Sequence, residues 1–192
     1  APLAAGAGAL GLAATLARTG GVFEDPLADV HVHLAVAGQI AIGNDGVNPG
    51  AVAAPASSLV HPVLLLLSAG SDLPCWVPLP WSGVAVLLGG ALWGRVPALP
   101  GFARPRLAVT GVLLALGGAV VAGIVASGCV GMEHGLHVAA ILAVACGVAR
   151  FLARGEVDAF LVAGVILGPL LRHEGLVVSA AACAVPSCAP RV

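Results

Sequence analysis

Apolar runs broken by glycine, proline and single charges set the pattern of this chain. They occupy positions 2–17, 59–70, 76–93, 107–130, 136–151, 157–171 and 175–189. Several fall short of the roughly 20 residues that cross a bilayer upright. Small residues and flanking arginines let such segments cross where the bilayer is thin or pinched. The run at 59–70 has the length of a re-entrant or interfacial piece and is expected not to cross fully. No internal repeat of fixed period is visible.

Composition turns this pattern into a class. Hydrophobic residues make up 59% of the chain and charged residues 9%, against about a quarter charged in soluble domains, too little polar surface to cover a soluble fold. The expected architecture is an all-α, polytopic transmembrane helix bundle of six to seven apolar segments. A single domain would run over 1–192, with a large external loop at 21–58 carrying short amphipathic helices, and further parts of a longer chain are expected beyond it. Abundant glycine and alanine let membrane helices approach closely, while Trp76, Trp81 and Trp93 are candidates for interface anchors. Eight arginines without a lysine, at a net charge of -1, form no basic stripe, so nucleic acid is excluded as a partner. The five cysteines, Cys75, Cys129, Cys146, Cys183 and Cys188, contain no CxxC and read as small buried hydrophobes.

Against this background the segment 24–62 is conspicuously polar. It holds Glu24, Asp25, Asp29, His31, His33, Asp45 and His61, which is four of nine acids and three of six histidines. Ionisable groups in membrane chains mark function by default. From Ala28 to Ile40 a helix would put Asp29 and His33 (i, i+4) on one face and Val30, Leu34 and Ile40 largely on another. That describes a surface helix with an acid–histidine pair on its polar side. As a strand, Asp29, His31 and His33 would instead share a side, as in metal-binding HxH sites. The alanine and leucine that follow favour the helix. Gly43-Asn44-Asp45-Gly46 and the residues to Gly50 are turn formers, and Ser57 is a candidate cap for the next helix.

Arginines orient the chain. Arg95, Arg104 and Arg106 bracket one loop, Arg150 and Arg154 end a later helix, and Arg191 lies at the C-terminal end. The positive-inside rule assigns these to the cytoplasmic side. Parity then sends 131–135, 172–175 and the acidic 24–62 loop outside. Three polar stretches meet on one face, the layout of an active site at a membrane surface, with a bacterial cytoplasmic membrane as the expected location.

The ordered run Asp29, His33-Leu34, Ala37, Gln39-Ile40-Ala41, Gly43, Gly46, Asn48-Pro49-Gly50, Pro55, Ser57-Ser58 and His61-Pro62 resembles the first external loop of GT-C-type membrane glycosyltransferases. These are relatives of the polyprenyl-phosphate-sugar mannosyl- and arabinosyltransferases. Ser127-Gly128 with Gly131-Met132-Glu133 resembles their Ser-Gly-(Leu/Met)-Glu turn, and Arg172-His173-Glu174-Gly175 their Arg-Pro-Glu-Gly turn. Ala28 stands where the family usually has a second acid, and His173 where it has proline. The resemblance covers the N-terminal part of such enzymes. It implies a multi-helix fold, an extracytoplasmic site, a lipid-phosphate sugar donor, and Asp29 as general base or metal ligand.

The chemistry can also be built from the residues. Sugar transfer needs a base for the acceptor hydroxyl and a cation for the departing phosphate. Asp29 and Glu133 are the candidate catalytic acids; His33, Arg172 and Glu174 are candidate substrate-binding residues, with Arg172 on the phosphate. Membrane lipids and other membrane subunits are the expected partners. A non-catalytic subunit of this ancestry is a second reading. A third is a metalloenzyme holding a divalent ion with Asp29, His31, His33, His134 and His137, since the two pairs of histidines lie close in sequence.

Overall fold

A computed structural model describes residues 2–21, 28–44, 46–50, 57–68, 76–95 and 132–188. Every regular element among them is helical: α1 (Pro2–Arg18), α2 (Ala28–Ala41), α3 (His61–Leu64) with a 3-10 turn at Leu65–Ser68, α4 (Pro78–Trp93), α5 (His134–Arg154), α6 (Ala159–Leu171) and α7 (Gly175–Cys188). The expected run 107–130, Glu24, Asp25, Asp45, Arg104, Arg106, Arg191, Cys75 and Cys129 lie outside the described residues. α5 is the one described helix long and apolar enough to cross a bilayer; α4, α6 and α7 are apolar but shorter. The α3 unit, four helical and four 3-10 residues, extends only about 14 Å, well short of a crossing.

Local chemistry explains the boundaries. Pro78 sits in the first turn of α4, where its missing amide is harmless. Asp158 caps α6 by accepting from the Leu161 amide at 2.9 Å, which moves the helix start to Ala159 rather than Val157. Gly155 closes α5 at φ 74°, a left-handed conformation that glycine adopts without strain. Inside α6, Pro169 removes the amide that would bond the Val165 carbonyl. Ser179 Oγ from α7 donates to that carbonyl at 2.8 Å, restoring the missing bond.

α5, α6 and α7 pack in succession, α4 lies along α5, α1 contacts α4, and α2 packs on α3 and its 3-10 turn. Contact between α5 and α6 is close because of glycine. A Cβ on Gly164 would lie 2.7 Å from the Ala140 carbonyl oxygen, too near for any side chain. Leu92, Ala139, Leu142 and Ala143 form one buried cluster, and Val144, Leu161 and Ala182 another. Cys146 is buried as expected, whereas Cys183 is exposed.

The two ends of this bundle differ. At one end Asp158 pairs with Arg150 at 2.6 Å, and Arg95 and Arg150 both lie over the Phe160 ring. At the other, α5 opens on Glu133 and α6 closes on Arg172. The helix dipoles favour a negative group at the first position and a positive one at the second.

Candidate functional site

Glu133 is fully buried at the mouth of α5. Its carboxylate does not cap its own helix but turns toward the 57–61 strap and α2. Oε1 accepts from Ser57 Oγ at 2.8 Å and lies 3.4 Å from Arg172 Nη1. Oε2 faces His33 Nε2 at 3.2 Å and His61 Nδ1 at 3.9 Å. The two imidazoles meet edge to face, with centroids 4.9 Å apart.

Backbone chemistry holds the strap there. α6 ends beside Leu170, leaving its carbonyl free for the amides of Leu59 and Val60 at 3.0 and 3.3 Å, and Ser58 Oγ donates to the same oxygen at 3.4 Å. Ser58 Oγ also accepts from the His61 amide at 3.0 Å. Ser58, rather than Ser57, therefore supports the start of α3, and Ser57 is released to reach Glu133.

Around this buried centre lies a more open shell. Arg172, one-fifth exposed, forks onto Glu174 through Nε at 3.3 Å and Nη2 at 3.0 Å, and its Nη1 meets His134 Nε2 at 2.6 Å. Asp29 is exposed and close enough for its charge to help hold Arg172 protonated. Below the polar groups runs an apolar cavity of about 530 Å³ between α3, α4, α5 and α6. It reaches Val60, Leu136 and Leu171 at the polar end, passes Trp81 and Leu88, and ends near Arg95 and Phe160.

Burial and contacts set the charges. Burial pushes the Glu133 carboxyl up, but the contacts from His33 and Ser57 outweigh it and bring it down to about 2. Burial, reinforced by the neighbouring His33, lowers His61 to about 4, so its ring is neutral near pH 7. The Arg172 fork holds Glu174 down at about 2. The site thus carries permanent carboxylates and a permanent guanidinium beside a neutral imidazole.

The expected residues fall into two groups. Glu133, His33, Arg172, Glu174 and His134 come together, with Asp29 at the edge. His31 points outward, and His137, half-buried one turn into α5, lies near enough to Arg172 and Glu174 to feel their charges. The ligating atoms close enough to share an ion belong to His33, His61 and Glu133, so among the five metal candidates only His33 belongs to this cluster. α2 is helical as expected, but its orientation differs: Val30, His33, Val36 and Ala37 form the buried face, and His33 turns to Glu133 while Asp29 faces out. Ser57 and His61 were not among the site candidates. In the sequence Ser57 reads only as a cap, and both stand only as members of the polar segment and of the run resembling the first external loop.

No family model matches this chain, and neither do any curated protein or any solved structure.

Proposed function

We propose that this chain is a multi-pass membrane protein that transfers a sugar from a polyprenyl-phosphate donor to an acceptor at the outer face of the membrane. The observation that carries the reading is the meeting of Glu133, Arg172 and Glu174, with the charge of Asp29 nearby, beyond the Val60, Leu136 and Leu171 end of an apolar cavity. A lipid-phosphate substrate has that same division, a charged head on a greasy tail. The cavity volume lies within the usual ligand-pocket range of about 300–1,000 Å³. Large apolar side chains stand exposed on α4 (Val84, Leu87, Leu88) and α6 (Val162, Ile166, Leu167), surfaces suited to lipid.

In this reading Arg172 receives the phosphate and stabilises the charge that develops as the glycosyl bond breaks. Glu133 and Glu174 hold its guanidinium from two sides. Asp29, exposed like Glu174 but outside the Arg172 fork that holds Glu174, takes the proton from the acceptor hydroxyl as the new bond forms. Glu133 itself is sealed from solvent and acts by positioning.

The test uses the chain in proteoliposomes with a labelled polyprenyl-phosphate sugar and acceptor extract. Asp29→Asn is expected to lower turnover at least 100-fold with helical circular dichroism unchanged. Equal turnover in the variant would overturn the role of Asp29 as base, whereas no turnover in the unaltered protein together with stoichiometric co-purifying membrane chains would establish the non-catalytic subunit.

A further inference from the structure

The two oxygens of Glu133 keep different company. Oε1 is engaged by Ser57 and Arg172, whereas Oε2 meets the two imidazoles, His33 Nε2 at 3.2 Å and His61 Nδ1 at 3.9 Å. Beside it, His33 Nδ1 and both ring nitrogens of His61 lack hydrogen-bond partners. His33 is 2% exposed, and His61 and Glu133 are 0% exposed, so bulk water does not serve these atoms. Native interiors rarely leave a buried polar atom bare. An ion set between the three side chains would bind Oε2 and one nitrogen of each ring.

We propose that this ion is a zinc-type divalent cation, held by His33, His61 and Oε2 of Glu133. One ligating atom from each residue lies within 4.8 Å of the others. Bonds of about 2.1 Å in a tetrahedral site put neighbouring ligand atoms about 3.4 Å apart. The observed 3.2 and 3.9 Å to Oε2 bracket that spacing. Two imidazoles and one carboxylate are a zinc donor set that leaves a fourth position open, while magnesium and calcium prefer oxygen alone.

The charge balance agrees. Glu133 and Glu174 both pair with the single positive charge of Arg172, leaving net negative charge for a dication to neutralise. Arg172 faces Oε1 rather than Oε2, so the carboxylate stands between the two cations. The site does not depend on the sugar-transfer reading.

The experiment strips the purified chain with chelator, then titrates it with zinc or cobalt(II). Stoichiometric uptake is expected, with the visible bands of four-coordinate cobalt. His33→Ala, His61→Ala and Glu133→Gln should each weaken binding at least 100-fold, beyond the loss seen when only an outer partner is removed. His31→Ala should bind as the unaltered protein does. Should the alanine variants lose their helical signal, His61→Cys decides, because a retained ligand adds a thiolate-to-cobalt charge-transfer band. The proposal is overturned if the unaltered chain takes up neither metal, if His61→Ala binds normally, or if His61→Cys shows no such band. Uptake of magnesium as tight as that of zinc overturns it equally.

Discussion

Removing the Glu133 carboxylate would strip a shared acceptor from Ser57 Oγ and Arg172 Nη1 and an anionic neighbour from two buried imidazoles. Breaking a buried ion pair from one side costs about 3–5 kcal/mol. With Arg172 partly open to water, Glu133→Ala is expected near the lower end, about 3 kcal/mol, read as a lowered denaturation midpoint. Acid should act through the same residues. In the metal-free protein the folded His61 pKa of about 4 lies below the ordinary histidine value of 6.5, so between those pH values the unfolded chain binds more protons. Stability is therefore full above pH 6.5 and falls as pH drops toward 4, by on the order of 3 kcal/mol. Glu133, lowered to about 2 from 4.5, adds a further loss as pH falls from 4.5 toward 2. Thermal melts across pH 7 to 3 check this; a flat profile from 6.5 to 4 would contradict it. At this scale the sequence was readable for Glu133, Arg172 and Glu174, whose charges stand out in an apolar chain. His61 was not readable, because its burial depends on the carbonyl of Leu170, which receives the hydroxyl of the neighbouring Ser58 from 112 positions away.

Helix positions were largely visible in the apolar runs, and α4 to α7 lie close to them. What the pattern hid was which face turns inward. In α2 the buried set is Val30, His33, Val36 and Ala37, a helical stripe that appears only when a histidine is counted with the apolar residues. Any hydropathy reading assigns His33 to the wet side, and only its distant acceptor reverses that. The Pro169 gap in α6 is likewise settled by a neighbour, Ser179 of α7. Ser179→Ala leaves the Val165 carbonyl bare and should destabilise by about 1–3 kcal/mol. The expected result is a lower melting temperature with unchanged helix content, and an unaltered melting temperature would show that water replaces the hydroxyl.

For the molecule as a whole, charge is sorted between two ends. Arg95, Arg150 and Arg154 gather at one, and Glu133, Arg172 and Glu174 at the other. If the bundle sits in a membrane with arginine inward, positions 156 and 173 fall on opposite sides. In a cysteine-free background, His173→Cys should react with an impermeant maleimide on intact cells, and Glu156→Cys only after permeabilisation. Reaction of both from the same side would exclude the proposed crossing of α6. This segregation was legible in advance from arginine placement alone, since it needs only helix order and parity. The cavity between α3, α4, α5 and α6 was not, because it arises from how small residues let those helices sit.

One oxygen atom, the carbonyl of Leu170, receives the amides of Leu59 and Val60 as well as the Ser58 hydroxyl. It lies two residues before the guanidinium proposed to meet the phosphate. The backbone that carries Arg172 is thereby pinned to the strap, whose Val60 also lines the cavity. Head and tail of a bound lipid would thus meet one tethered unit, and loosening the tether would disturb both ends of the ligand together.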